Sequence, residues 1–125
     1  MHVIKFLTFT DSIAIHMISW DDFSKIDIRS GTVIDVQDFP KARKPAFKLK
    51  IDFGALGIKQ SSAQITAHYD KEALLGQQVL AVVNFPPKQI ADFISECLVL
   101  GVYDENHEVV LLQPGKKVGN GLQVG

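Results

Sequence analysis

The sequence predicts a small all-β domain: a five-stranded Greek-key barrel of the OB-fold type with short flanking helices. Three observations predict it. One segment alternates strictly between apolar and charged residues, short β-branched runs recur between turn residues, and little of the chain carries a helical period. A barrel of this kind suits a chain of 125 residues, which is close to the common size for one hydrophobic core.

The elements follow in order. Ser19 precedes "WDDFSKI", with Asp21 and Asp22 in the first turn; a capping hydroxyl and negative charges satisfy the free N–H groups of a helix start. "DIRSGTVIDV" then turns β-branched, and Gly31 inside it predicts a bulge or sharp bend, so that one strand serves both sides of a barrel. In "AFKLKIDFG", Phe47, Leu49, Ile51 and Phe53 alternate with Lys48, Lys50 and Asp52, the pattern of a half-buried strand. Gly54 and Gly57 bracket a turn before "IKQSSAQIT", and "YDKEALLGQ" predicts a short helix closed by Gly76. "VLAVVNF" is apolar on both faces and reads as a central strand that Pro86 and Pro87 stop. "CLVLGVY" and "EVVLLQP" pair around "DENH" as a hairpin, and "GKKVGNGLQVG" is a turn-rich tail.

A hydrophobic content of 46% and a charged content of 22% are those of an ordinary soluble domain. The net charge of −1 supplies no global positive field, so polyanion binding would need local clustering. The single cysteine forms no internal disulfide and no four-cysteine zinc site, which suits a reducing, cytoplasmic setting. "MHVIKFLTFTDSIAIHMIS" is interrupted by Thr8, Thr10, Asp11 and Ser12, so it fits neither a signal peptide nor a membrane span, and no membrane insertion is expected. Met17 opens a natural start just ahead of the helix cap. Residues 1–18 therefore read as an N-terminal extension and 19–125 as the domain.

The chain shows little that would do covalent chemistry. A nucleophilic Cys97 needs a partner base and a low pKa, but His2, His16, His68 and His107 are scattered and Cys97 heads an apolar run. It reads as a packing residue. The histidines do not recur at i, i+4, and there is no calcium loop, glycine-rich phosphate loop or nucleophile elbow. Neither catalysis nor a cofactor or metal is expected. The densest charge lies in "PKARKPAFKLK": Lys41, Arg43, Lys44, Lys48 and Lys50 with no acidic residue, Lys48 and Lys50 pointing to one side of their strand. Lys88, past the double proline, extends this patch if the fold brings it near. The cluster suits phosphate contacts on an OB face, or equally a solvated surface. "KQSSAQIT" sets Ser61, Ser62, Gln64 and Thr66 where alternation is expected. That suits a dimer seam, a backbone-binding groove, or a strand satisfying its own edge.

Taken together and in this order, "WDDFSKIDIRSGTVIDV", "FPKARKPAFKLKIDFG", "KQSSAQIT", "VLAVVNFPPKQI" and "SECLVLG" closely resemble the CsaA family. That family belongs to the wider group of tRNA-binding domains found at the C-terminus of bacterial methionyl-tRNA synthetases and in free-standing tRNA-binding proteins. The resemblance runs from Trp20 to Gly125, and "QSSAQIT" with "NFPP" marks the CsaA branch. It implies an OB-fold homodimer with two associated activities, neither of them catalytic. One is binding of unfolded precursor polypeptides in export, together with the Sec machinery; the other is binding of tRNA. It also implies a basic strand entry at Pro40, Ala42 and Lys44, with Lys48 beyond, and matches to Asn84 and Ser95. On the RNA reading Lys41, Arg43, Lys44, Lys48, Lys50 and Lys88 contact phosphates, while Asn84 and Ser95 make polar contacts. Apolar residues near the corner, Phe85, Pro86, Pro87, Ile90 and Phe93, are the candidate polypeptide groove. The chain departs from the wider group at Cys97-Leu98, which stands for Gly-Met, at Asp92, which stands for glycine, and at Ser62-Ala63-Gln64-Ile65, which stands for Val-Ser-Gly-Ile. Asp92 and Glu96 set carboxylates beside the RNA face, which makes unfolded polypeptide the leading ligand and RNA the alternative. A dimerisation or docking domain is a third reading, with "QSSAQIT" and "LLQPGKKVGNGL" as the surfaces to pair.

Overall fold

A computed structural model describes residues 16–125; most of the expected N-terminal extension lies outside them. Helix α1 (Trp20–Ser24) is the one its cap announces: the Ser19 hydroxyl accepts from the Asp22 N–H and the Asp22 carboxylate accepts from the Ser19 N–H. Next come β1 (Ile28–Asp38), β2 (Phe47–Asp52), a single 3₁₀ turn at Gly54–Leu56, β3 (Ile58–Ala63), α2 (Lys71–Leu74) and β4 (Gln78–Val82). The chain finishes with β5 (Lys88–Ile90), β6 (Phe93–Ser95), β7 (Leu98–Val99), β8 (Gly101–Tyr103) and β9 (Val109–Leu111).

Five antiparallel strands in the order β3-β2-β1-β4-β7 make the barrel. Strand β1 serves both halves: Ile28 to Thr32 pair with β4, and Thr32 to Asp38 pair with β2. The bulge lies between Val33 and Asp35, beyond the glycine at which it was expected. Gly31 has a different task. A Cβ there would stand 2.6 Å from Ile51 Cγ2 and 2.8 Å from the Phe53 ring, so the absent side chain lets β1 close over the core. Phe47, Leu49, Ile51 and Phe53 point inward as their alternation predicts, and pack with Val33, Leu74 and Val79.

The remaining gap, between β3 and β7, is bridged by residues 95–97. Glu96 N–H donates to the Gln60 carbonyl and its carboxylate accepts from Gln60 N–H; Ser95 Oγ accepts from Ser62 N–H; and Ser61 Oγ donates to the Cys97 carbonyl. The Ser61 hydroxyl and the Ser62 N–H thus help satisfy a strand edge, and Ser61 is fully buried in doing so.

Strand β4 ends at Val82, before the prolines. Two sequence expectations change. The expected strand "CLVLGVY" is broken at Leu100, whose N–H turns back to the Leu80 carbonyl, so β7 joins the barrel while β8 pairs with β9. Gly101 permits the change, since a Cβ there would lie 2.5 Å from Val109 Cγ1. The turn-rich tail is laced to the start of β1: Ser30 N–H donates to Leu122 O, and Gly121 N–H donates to Ser30 O. Among the described residues, no helix is long and apolar enough to cross a membrane.

Candidate functional site

The β5–β6 hairpin lies against the outer face of β2 and β3, where Gln60 Nε2 donates to the Ile94 carbonyl. Between this hairpin and the loop 41–46 is a recess of about 810 Å³, walled by Lys41, Arg43, Lys44 and Lys88 and floored by Ala42, Ala46, Ser62 and Ile90. A second recess of about 390 Å³ adjoins it and is mainly apolar, formed by Phe85, Pro86, Ile90, Cys97 and Leu98. Ser62, Lys88 and Ile90 line both. The two recesses therefore make one groove with a cationic end and an apolar end. Phe85 is 55% exposed and Leu98 48%, so apolar surface large enough to bind a side chain faces the solvent there.

The charge at the cationic end is not uniform. Lys41 Nζ sits 3.0 Å from Asp92 Oδ2, and this contact holds the Asp92 carboxyl below its ordinary range. Asp92 thus neutralises one lysine of the wall rather than standing alone against phosphate. Among the described residues, Arg43, Lys44 and Lys88 form no ion pair. The Glu96 carboxylate is engaged by the Gln60 N–H. Lys48 and Lys50 do share one side of β2, but Lys48 is held 4.9 Å from the Phe39 ring centroid and 5.5 Å from that of Phe93. Both lysines line a smaller depression with Asp35 and Gln37, apart from the groove.

Residues 28–123 match the tRNA-binding-domain family. The crystal structure of the chaperone CsaA from Bacillus anthracis superposes with a TM-score of 0.83 at 54% identity, covering 87% of this chain and 99% of that one. That of the CsaA chaperone protein from Picrophilus torridus gives 0.82 at 54% identity, covering 87% and 100%. The chain belongs to the CsaA family. It is also 36% identical over 107 residues to the methionine–tRNA ligase of Bacteroides fragilis, covering 86% of this chain but only 16% of the ligase.

Several residues singled out in the sequence serve the fold of this CsaA-family protein. Asn84 accepts from Asp27 N–H through Oδ1 and donates to the Lys25 carbonyl through Nδ2, which ties the end of α1 to β4. Ser95 is engaged with β3 as described. Phe93 is buried with Phe39 and Ala46 in a second small cluster rather than lining the groove, because β6 turns its ring inward at the position paired with Ile90. Pro87 is exposed but lines neither recess. Cys97 borders the apolar recess as a buried thiol, and burial pushes its pKa up to about 11. It therefore stays protonated near neutrality, which agrees with packing rather than nucleophilic attack. Leu98 is the groove residue that sequence reasoning missed. Its place depends on the bend at Cys97 that leads into β7, which no local sequence pattern announces.

Proposed function

We propose that this CsaA-family protein is a non-catalytic chaperone that holds apolar segments of unfolded polypeptides in the groove at Phe85, Pro86, Ile90 and Leu98. The observation that carries this reading is the exposed apolar recess itself. Support comes from the two chaperones of 54% identity that share the fold. The export-related role, contact with the Sec machinery and the cytoplasmic setting belong to the same proposal. A denatured, fluorescently labelled precursor titrated with the protein tests it. Phe85→Ser and Leu98→Ser, both exposed and so harmless to the core, are expected to weaken binding together; unchanged affinity in both would sink the assignment.

RNA is the second reading, favoured by Arg43, Lys44 and Lys88 standing unpaired along the adjoining wall. Titration with unfractionated tRNA across a salt series separates the two readings. Arg43→Glu with Lys44→Glu, which line only the cationic end, is expected to abolish RNA binding and leave the Phe85-dependent step nearly intact. A homodimer completes the proposal. Val102 and Val110 are cross-strand partners, and both are exposed on the β8–β9 hairpin. Light scattering of Val102→Glu against the parent chain reads whether that face pairs.

A further inference from the structure

Away from the groove, two carboxylates at the tip of the β8–β9 hairpin, Asp104 and Glu108, meet an imidazole from a distant segment, His68. His68 Nε2 lies 2.6 Å from Asp104 Oδ2 and 3.6 Å from Glu108 Oε2. One donor atom from each residue falls within 4.8 Å of the others. Asp104 is held in place from the other side: its Oδ1 accepts the N–H groups of Asn106 and Glu108, which leaves Oδ2 directed at the imidazole. The segment carrying His68 is fixed too, because the Tyr69 hydroxyl accepts the Leu111 N–H. Electrostatics adds an independent point. Two carboxylates converge on one imidazole, and among the described residues no lysine or arginine forms an ion pair with either. The two carboxylates bring two negative charges, which a divalent ion would balance.

We propose that His68, Asp104 and Glu108 bind a divalent transition-metal ion of the zinc and cobalt class. One imidazole nitrogen with two carboxylate oxygens is a donor set those borderline ions accept, whereas magnesium and calcium prefer oxygen alone. The ion supplies the two positive charges that the cluster lacks. His68 and Glu108 are partly exposed, so solvent reaches the remaining coordination positions. Three protein ligands with open positions leave room for water or a further group. Because the ligands join the segment at residue 68 to the hairpin, occupancy stabilises the folded chain by mass action.

The test uses the untagged full-length chain, stripped with a chelator and titrated calorimetrically with zinc chloride. One ion per chain is expected, accompanied by a rise in Tm. Cobalt chloride in place of zinc is expected to give visible d–d absorption. His68→Ala is expected to lose the calorimetric binding, the absorption and the Tm rise, and Glu108→Gln to weaken all three. His107→Ala, at the neighbouring tip position, is expected to keep them. A parent chain that takes up no zinc would overturn the proposal. So would full binding by His68→Ala or Glu108→Gln, since either result places the ion elsewhere. An unchanged far-ultraviolet spectrum of the variants shows that the hairpin has not been lost.

Discussion

Replacing Asp92 with asparagine leaves the shape of the groove wall nearly unchanged and releases one cation. Lys41 is held 3.0 Å from the carboxylate, and both side chains are well exposed, at 69% and 50%. Such a pair contributes little to folding, so the variant is expected to unfold as the parent does. Its effect belongs on RNA. With Arg43, Lys44 and Lys88 as the phosphate contacts, the log–log salt slope on duplex RNA is expected near about −2.7, and freeing Lys41 steepens it to about −3.6. Taking 1 M salt as the point where the electrostatic contribution vanishes, one added contact raises affinity about fivefold at 0.15 M salt and about fifteenfold at 0.05 M. Fluorescence anisotropy with a labelled tRNA acceptor stem, read at four or more salt concentrations, measures slope and affinity together. A folded Asp92→Asn protein with the parent's slope and affinity would refute the reasoning, because Lys41 would then face no phosphate.

Other outcomes follow from the same geometry. Cys97, with its thiol pushed up to about 11 against an ordinary 9.0, carries about a hundredfold less thiolate than an exposed cysteine at pH 8, and alkylation by iodoacetamide is expected to be slower by at least that factor. The sign for stability follows from the raised value. The contribution of the buried neutral thiol is complete below pH 9 and lost as pH rises toward 11, a loss that Cys97→Ala removes in urea titrations. Gly31→Ala pushes a methyl group into Ile51 and Phe53, and is expected to cost about 1–3 kcal/mol in the same titrations. Asn84→Ala breaks the two hydrogen bonds to Lys25 and Asp27 and is expected to cost about 1–2 kcal/mol, while leaving RNA affinity unmoved. A loss of RNA affinity in the folded variant would return Asn84 to the RNA face.

The barrel was legible because its signals are local. Period-two alternation in "AFKLKIDFG" needs only adjacent residues to place Phe47, Leu49 and Ile51 inside, and the Ser19 cap acts within one helical turn. The order of five short motifs carried the family. Less legible was which side chains the fold consumes. Asn84 and Ser95 looked like ligand contacts, but their hydrogen bonds go to Lys25, Asp27 and Ser62, partners that lie 33 to 59 positions away. Phe93 was placed in the groove by composition and taken from it by the Phe39 cluster.

By itself, then, the sequence determined an all-β barrel of the CsaA family with a basic loop and an apolar corner, since alternation, turn residues and capping are written in neighbouring positions. Tertiary structure decided the rest. It set Lys88 beside Arg43 and Lys44, paired Lys41 with Asp92, buried Phe93, and gathered His68, Asp104 and Glu108 at one hairpin tip. The physical reason is the same in each case. Charge pairing, burial and ligand convergence depend on distances through space, and those are set only when strands far apart in the chain close on one another.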